Sequence, residues 1–177
     1  MFIHTPPLAT RPTLQRRTQA LTIRVSSGVG SGPTRLAAFD AALRGAGVAD
    51  FNLIRLSSVI PPGSTVLQVD GTKQVEGLHG DRLYCVYAEA YASTPDEQAW
   101  AGVGWSTRDD GFGEGLFVEH HGMTRATVEH DLHLSLAAMS KGRDGQFHEA
   151  GLVTSTAQCV DHPVCALVIA TYETQPW

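Results

Sequence analysis

Apolar residues recur along this chain with two periods. Leu36, Phe39 and Leu43 fall three and four positions apart, which predicts a helix over 34–44 with that stripe buried. Thr34 can cap its start, and Gly45 and Gly47 end it. Residues 124–141 show the same period more clearly. Val128, Leu132, Leu136 and Met139 line one face there, and Gly142 stops the helix. Elsewhere the apolar runs are short, β-branched or alternating. Segments 22–25, 51–60, 65–69, 83–92, 100–106, 116–120, 148–158 and 164–173 read as strands. The strands at 83–92 and 100–106 are expected to pair with each other. Pro61-Pro62-Gly63 and Arg108-Asp109-Asp110-Gly111 mark turns. The glycine-rich stretch 26–34 reads as a tight strand-to-helix loop. It lacks the lysine of a phosphate loop and the spacing of a dinucleotide fingerprint. This order predicts an α+β fold, an antiparallel β-sheet sandwich with helices packed on the outside (αββα), forming one domain over 21–177.

Bulk properties narrow the function classes. The 177 residues are enough for one domain with a real core, and 42% hydrophobic with 18% charged residues is ordinary for a globular protein. A net charge of -5 gives no reason to expect a nucleic-acid partner. No apolar run approaches the ~18 residues that a membrane span needs. Cys85, Cys159 and Cys165 follow no pairing pattern, which fits reduced thiols and a cytoplasmic location. Residues 1–20 carry Arg11, Arg16, Arg17 and three prolines but no acid, and are expected to form a flexible tail. Twin-arginine export is rejected, because Arg24 and Ser26-Ser27 break the apolar region that should follow Arg16-Arg17.

The chemistry concentrates at Ser57-Ser58, where an apolar segment ends just before Pro61-Pro62. The Ser58 hydroxyl can attack the carbonyl carbon of Ser57 and turn the peptide bond into an ester. Elimination from Ser58 then leaves dehydroalanine, and hydration with loss of ammonia leaves a pyruvoyl group as a new N-terminus. A serine is required at 58, since its oxygen is first the nucleophile and then the leaving atom. Pro61 keeps Ile60 out of the α region, which limits relaxation of the segment. A pyruvoyl ketone can form a Schiff base with an amino acid and accept the electrons left by departing CO2.

Two runs carry a resemblance. Gly30-Ser31-Gly32-Pro33-Thr34-Arg35-Leu36-Ala37-Ala38-Phe39-Asp40-Ala41-Ala42-Leu43 and Asn52-Leu53-Ile54-Arg55-Leu56-Ser57-Ser58-Val59-Ile60-Pro61-Pro62 closely resemble the pyruvoyl-dependent arginine decarboxylases. Gly115-Leu116-Phe117-Val118-Glu119 and Val164-Cys165-Ala166-Leu167 also look like that family. The resemblance implies self-cleavage between Ser57 and Ser58 into a β chain (1–57) and an α chain (58–177). It implies a pyruvoyl cofactor derived from Ser58, with no metal and no pyridoxal phosphate. It implies L-arginine as substrate, agmatine as product, and a homotrimer or dimer of trimers with active sites between subunits. Another amino-acid substrate, or an unprocessed, non-enzymatic trimeric homologue, is the alternative.

The resemblance also implies roles for single residues. Asp40 meets the substrate guanidinium, to which a carboxylate offers two parallel acceptors. Its alternative is an i,i+4 pair with Arg44. Asn52 assists processing and borders the site. On one extended strand Asn52 and Ser58 would lie roughly 20 Å apart, so Asn52 is expected to serve a Ser58 from a neighbouring subunit. Glu119 is the proton donor to the decarboxylated carbon and should be partly buried. Alternation places Glu119 with Phe117 on one strand face and Val118 with His120 on the other. Its alternative is a rim residue paired with His120 or His121. His120, His121, His130 and His133 follow no metal-binding pattern and are read as surface histidines. Arg55 is read as structural.

Overall fold

The computed structural model describes residues 20–72, 75–109 and 111–177. The expected tail falls almost wholly on residues 1–19, outside the described residues. Eleven elements follow in order: β1 (Thr22–Ser31), α1 (Arg35–Gly45), β2 (Asn52–Arg55), β3 (Val59–Ile60), β4 (Thr65–Gln68), β5 (Arg82–Ala92), β6 (Gln98–Arg108), β7 (Gly115–Gly122), α2 (Arg125–Lys141), β8 (Phe147–Gln158) and β9 (Val164–Gln175). One sheet has the strand order β2-β5-β9-β1-β4 and the other β3-β7-β6-β8. Most neighbours are antiparallel, but β1–β4 and β2–β5 run parallel.

Strand alternation sorts the core into three layers. Between the sheets lie Val25, Ile60, Val86, Val103, Phe117 and Val168. Ala38, Ala42, Cys85 and Leu167 pack between α1 and the five-stranded sheet. Val118, Val128, Leu132 and Leu136 pack between α2 and the four-stranded sheet. The helices therefore cover the outer faces of a sandwich, as the order of elements predicts. Both start where expected. Thr34 Oγ1 accepts from Ala37 N at 3.1 Å, and Thr124 Oγ1 accepts from Thr127 N at 3.2 Å.

Five local expectations need correction. Most of the glycine-rich stretch is strand, with β1 continuing to Ser31. Its glycines admit α1 at close range: a Cβ on Gly28 would stand 2.1 Å from Ala42 O, and one on Gly30 2.2 Å from Ala38 O. The α1 stripe shifts for the same reason. A glycine-floored groove accepts alanine, so Ala38 and Ala42 are buried beside Leu43, whereas Leu36 is 76% exposed. On α2, Val128, Leu132 and Leu136 are buried as expected, while Met139 lies at the edge.

β5 and β6 do not pair. The connection between them crosses from one sheet to the other, so β5 pairs with β9 and β2 while β6 pairs with β7 and β8. Their small residues, Ala88, Ala90, Ala99 and Ala101, meet in the interior between the sheets. The segment 51–60 is likewise not one strand. It breaks after Arg55, and its halves belong to different sheets.

Candidate active site

The break in that segment contains the candidate pair Ser57-Ser58. Leu56 N donates to Cys85 O at 2.9 Å, extending the β2–β5 ladder by one residue. Phe117 N donates to Ser58 O at 2.8 Å, opening the ladder that continues with Val59 opposite Leu116. The chain thus crosses the sandwich at Ser57-Ser58. Ser58 takes up the change of direction with φ +67°. A left-handed conformation costs a residue with a Cβ about 1–2 kcal/mol, so this is a strained position.

The Ser58 hydroxyl has a defined partner, donating to Glu119 Oε1 at 2.5 Å. Glu119 is half-buried on β7, between the core-facing Phe117 and the edge of the sheet. His120 points the other way, with Nε2 2.7 Å from Ser135 Oγ on α2. The alternation expected along this strand therefore holds, and Glu119 engages Ser58 rather than His120. A cavity of about 240 Å³ is lined by Ser57, Ser58, Glu119, His120, Ser135 and Met139.

Glu119 also borders a larger cavity, of about 490 Å³, with Arg35, Arg55, Glu89, Tyr91 and His121. Arg55 has a structural task there, as expected. β2 stops short of covering all of β5, and Arg55 Nη2 donates to the uncovered Tyr87 O at 2.9 Å while its guanidinium stacks 4.7 Å from the Tyr87 ring centre. Tyr91 donates to Glu89 Oε2 at 3.3 Å. Burial, and then the Glu89 charge, push the Tyr91 phenol well above its ordinary range, so it remains a donor.

Asp40 and Asn52 lie elsewhere in the fold. Asp40 forms an ion pair with Arg44 and lines a third cavity, of about 390 Å³, with Asp50, Phe51 and His79. Asn52 is exposed and donates from Nδ2 to Gly80 O at 2.6 Å, and Gly80 N in turn donates to Asp50 O at 2.7 Å. Neither residue lines a cavity that contains Glu119. The cause is not the length of a straight strand, since the strand breaks between them. Asn52 belongs to the five-stranded sheet, and Ser58 passes into the other. Among the described residues no group of three or more histidine, cysteine or acidic side chains is placed to hold a metal ion, and His133 instead pairs with Glu149 at 2.7 Å.

A family model described as pyruvoyl-dependent arginine decarboxylase matches residues 22–175. The chain belongs to this family. A pyruvoyl-dependent arginine decarboxylase of Halobacterium salinarum is 39% identical over 153 residues, covering 85% of this chain and 92% of the relative. Proteins of the same name from Methanococcoides burtonii and Archaeoglobus fulgidus (the latter numbered 2) are 34% identical over 101 residues and 35% identical over 100. Those matches cover 55% and 54% of this chain, and 53% and 60% of the relatives. The family name implies a pyruvoyl prosthetic group, and the surroundings of Ser58 fit one. The Ser58 carbonyl is held by Phe117 N, its side-chain oxygen touches a carboxylate, and the position opens onto a cavity.

One group beside Ser58 in this member of the pyruvoyl-dependent arginine decarboxylase family carries no mark in the sequence. Tyr172 Oη donates to Val59 O at 3.0 Å, from 113 positions away. A tyrosine near the end of a closing strand looks like any other, and only the register of the sheets brings it to Ser58.

Proposed function

We propose that this chain is a self-processing decarboxylase that converts L-arginine to agmatine and CO2, using a pyruvoyl group made from Ser58. The observation that carries the reading is the Ser58–Glu119 hydrogen bond at a strained residue between two sheets. Glu119 is placed to receive the hydroxyl proton as Ser58 Oγ attacks the Ser57 carbonyl carbon. Ser57 becomes the carboxyl end of one chain, and Ser58 the blocked start of the other.

The pyruvoyl group supplies an electrophilic ketone for the substrate amine and a sink for the electrons left by CO2. The protein's side chains do the rest. Phe117 N holds the carbonyl of residue 58, and Glu119 returns a proton to the α-carbon. Asp40 receives the guanidinium, exchanging its Arg44 partner for that of the substrate. Asp40 and Asn52 sit apart from Ser58, so they are contributed by a neighbouring protomer. This supports a trimer, or a pair of trimers, with shared sites. No helix among the described residues is long and apolar enough to cross a membrane, and we place the enzyme in the cytoplasm.

Intact-mass analysis tests the reading. Two chains split between Ser57 and Ser58 are expected, the larger one reacting with a carbonyl reagent, together with release of CO2 from L-arginine. A single uncleaved chain inert to the reagent would overturn it.

A further inference from the structure

Cleavage between Ser57 and Ser58 would cut the only covalent crossing between sheets at this point, so whatever holds the new end must come from elsewhere. On the Ser57 side the anchor is the β2–β5 ladder, ending at Leu56 N. On the Ser58 side, β3 has just two residues, Val59 and Ile60, paired with Leu116 and Gly115 of β7. So short an edge strand is a weak anchor.

Tyr172 reaches this strand from the opposite sheet. β9 pairs with β5 through Cys85 opposite Thr171 and Tyr84 opposite Glu173, which leaves Tyr172 as the extra residue of a β-bulge. The bulged residue packs against the core between the sheets, edge-on to Phe117 with ring centres 6.1 Å apart. Its Oη donates to Val59 O at 3.0 Å, while Phe117 N donates to Ser58 O at 2.8 Å. Two successive carbonyls after the cleavage point are thus held, one from each sheet. Burial, and next the nearby Glu119 charge, raise the Tyr172 phenol and keep it a donor.

We propose that Tyr172 is a positioning residue, a tie across the sandwich that aims Ser58 at the Ser57 carbonyl and retains the new N-terminus once the chain is cut. This rests on the self-cleavage reading above. Loss of the tie would slow the acyl shift, because Ser58 would be held from one side only.

The test is Tyr172→Phe, which removes one oxygen and keeps the ring. Wild type, Tyr172→Phe and a control, Tyr84→Phe, are made by cell-free synthesis and followed by intact mass. Tyr84 donates to Gln175 at 3.1 Å, away from the serine pair. Hydroxylamine added during the chase reads the ester, since it cleaves an ester at Ser57 but not the amide. The expected result is cleavage slowed about tenfold or more in Tyr172→Phe, the scale of one lost hydrogen bond, with a smaller hydroxylamine-sensitive fraction. Tyr84→Phe should match wild type. Thermal unfolding in a Ser58→Ala background separates positioning from folding, and the midpoint should stay close with and without Tyr172→Phe. Wild-type cleavage kinetics in Tyr172→Phe would overturn the proposal, as would slow cleavage accompanied by a collapsed midpoint. If wild type itself stays whole, the self-cleavage reading has failed rather than the role of Tyr172 within it.

Discussion

Ser58 and Glu119 are joined by a 2.5 Å hydrogen bond that spans the junction of β3 and β7. The serine that would lose a proton in the proposed self-cleavage therefore already faces a carboxylate. Its backbone stands at φ +67°, where relaxation favours a change of linkage. One pair can serve two reactions in sequence: Glu119 takes a proton from Ser58 while the chain is whole, and gives one to a substrate carbon afterwards.

The serine has no substitute in this arrangement. Ser58→Ala should abolish cleavage completely, because no nucleophile remains at the Ser57 carbonyl. Ser58 is only partly buried and its hydroxyl bonds a single partner, so stability should change by no more than about 1 kcal/mol. Intact mass and a thermal melt on the same sample read both outcomes.

Glu119→Gln separates the two reactions. The amide keeps an oxygen to accept the Ser58 hydroxyl, so the serine stays aimed, but it cannot take the proton; cleavage should slow and, as a single event, still run to completion given time. An amide does not release a proton, so turnover of the cleaved protein should fall by about 10²–10⁴. The ratio of cleavage rate to kcat, measured in one preparation, checks the assignment. Efficient decarboxylation by the variant would remove Glu119 from the role.

The split between the Asp40 and Ser58 regions predicts complementation. Asp40 and Ser58 line different cavities of the chain. Ser58→Ala protein lacks the reactive group, and Asp40→Asn protein lacks the guanidinium carboxylate, so each alone should be nearly inactive. Co-assembled, an Asp40→Asn chain offers its Ser58 to the intact Asp40 of a Ser58→Ala neighbour. Random mixing in equal amounts should restore about a quarter of the sites, from chance pairing at a cyclic interface. Activity that stays at the level of the separate variants would place the whole site within one chain.

What the sequence made legible follows from how local each feature is. α2 could be read with its boundaries because Val128, Leu132 and Leu136 keep helical spacing up to a terminating glycine, and the structure adds Thr124 as the cap at its start. The glycine-rich run could not, since Gly28 and Gly30 are determined by a helix that packs over them, and a loop needs the same residues. Alternation along β5 and β6 told which side chains face inward, but not that the strands lie in different sheets. At the site, Ser57-Ser58 and Glu119 were recognisable from motif and strand period. Their direct bond was not, since it joins positions 61 apart. Tyr172 depends on a bulge, a feature of register that no local pattern records.

The β1–α1 contact predicts a sharp stability effect. A Cβ at Gly30 would lie 2.2 Å from Ala38 O and 2.4 Å from Ala42 N, both backbone atoms of α1. Neither can rotate away, so the helix must lift. Gly30→Ala should destabilise by about 1–3 kcal/mol, the usual range for overpacking. Gly63→Ala is not a neutral control despite its open surroundings, because Gly63 sits at φ +78°. Gly142→Ala, with only Met139 O near its Cβ at 3.8 Å, is the better comparison. Urea unfolding of the three proteins should rank Gly30→Ala lowest.

The buried thiols set an alkaline limit. Burial pushes Cys85 up from 9.0 to about 12, with Arg55 pulling weakly the other way, and burial followed by the Glu89 charge pushes Cys165 from 9.0 to about 12. In the unfolded chain both thiols ionise near 9.0. Above that pH the unfolded state gives up protons that the folded state keeps, so unfolding is favoured as pH rises. The stability contributed by the neutral thiols is complete below pH 9 and drains away as pH climbs toward 12. Each thiol accounts for at most about 1.4 kcal/mol per pH unit across that window. Cys85→Ala should flatten the fall in the urea midpoint above pH 9, while losing some packing stability at neutral pH. Alkylation gives the same answer by a second route. At pH 8 a thiol-directed reagent should label Cys85 and Cys165 only as fast as the protein opens, and at once in denaturant. Rapid labelling of either residue in the folded protein would mean that its thiolate is accessible, and would undo the assignment.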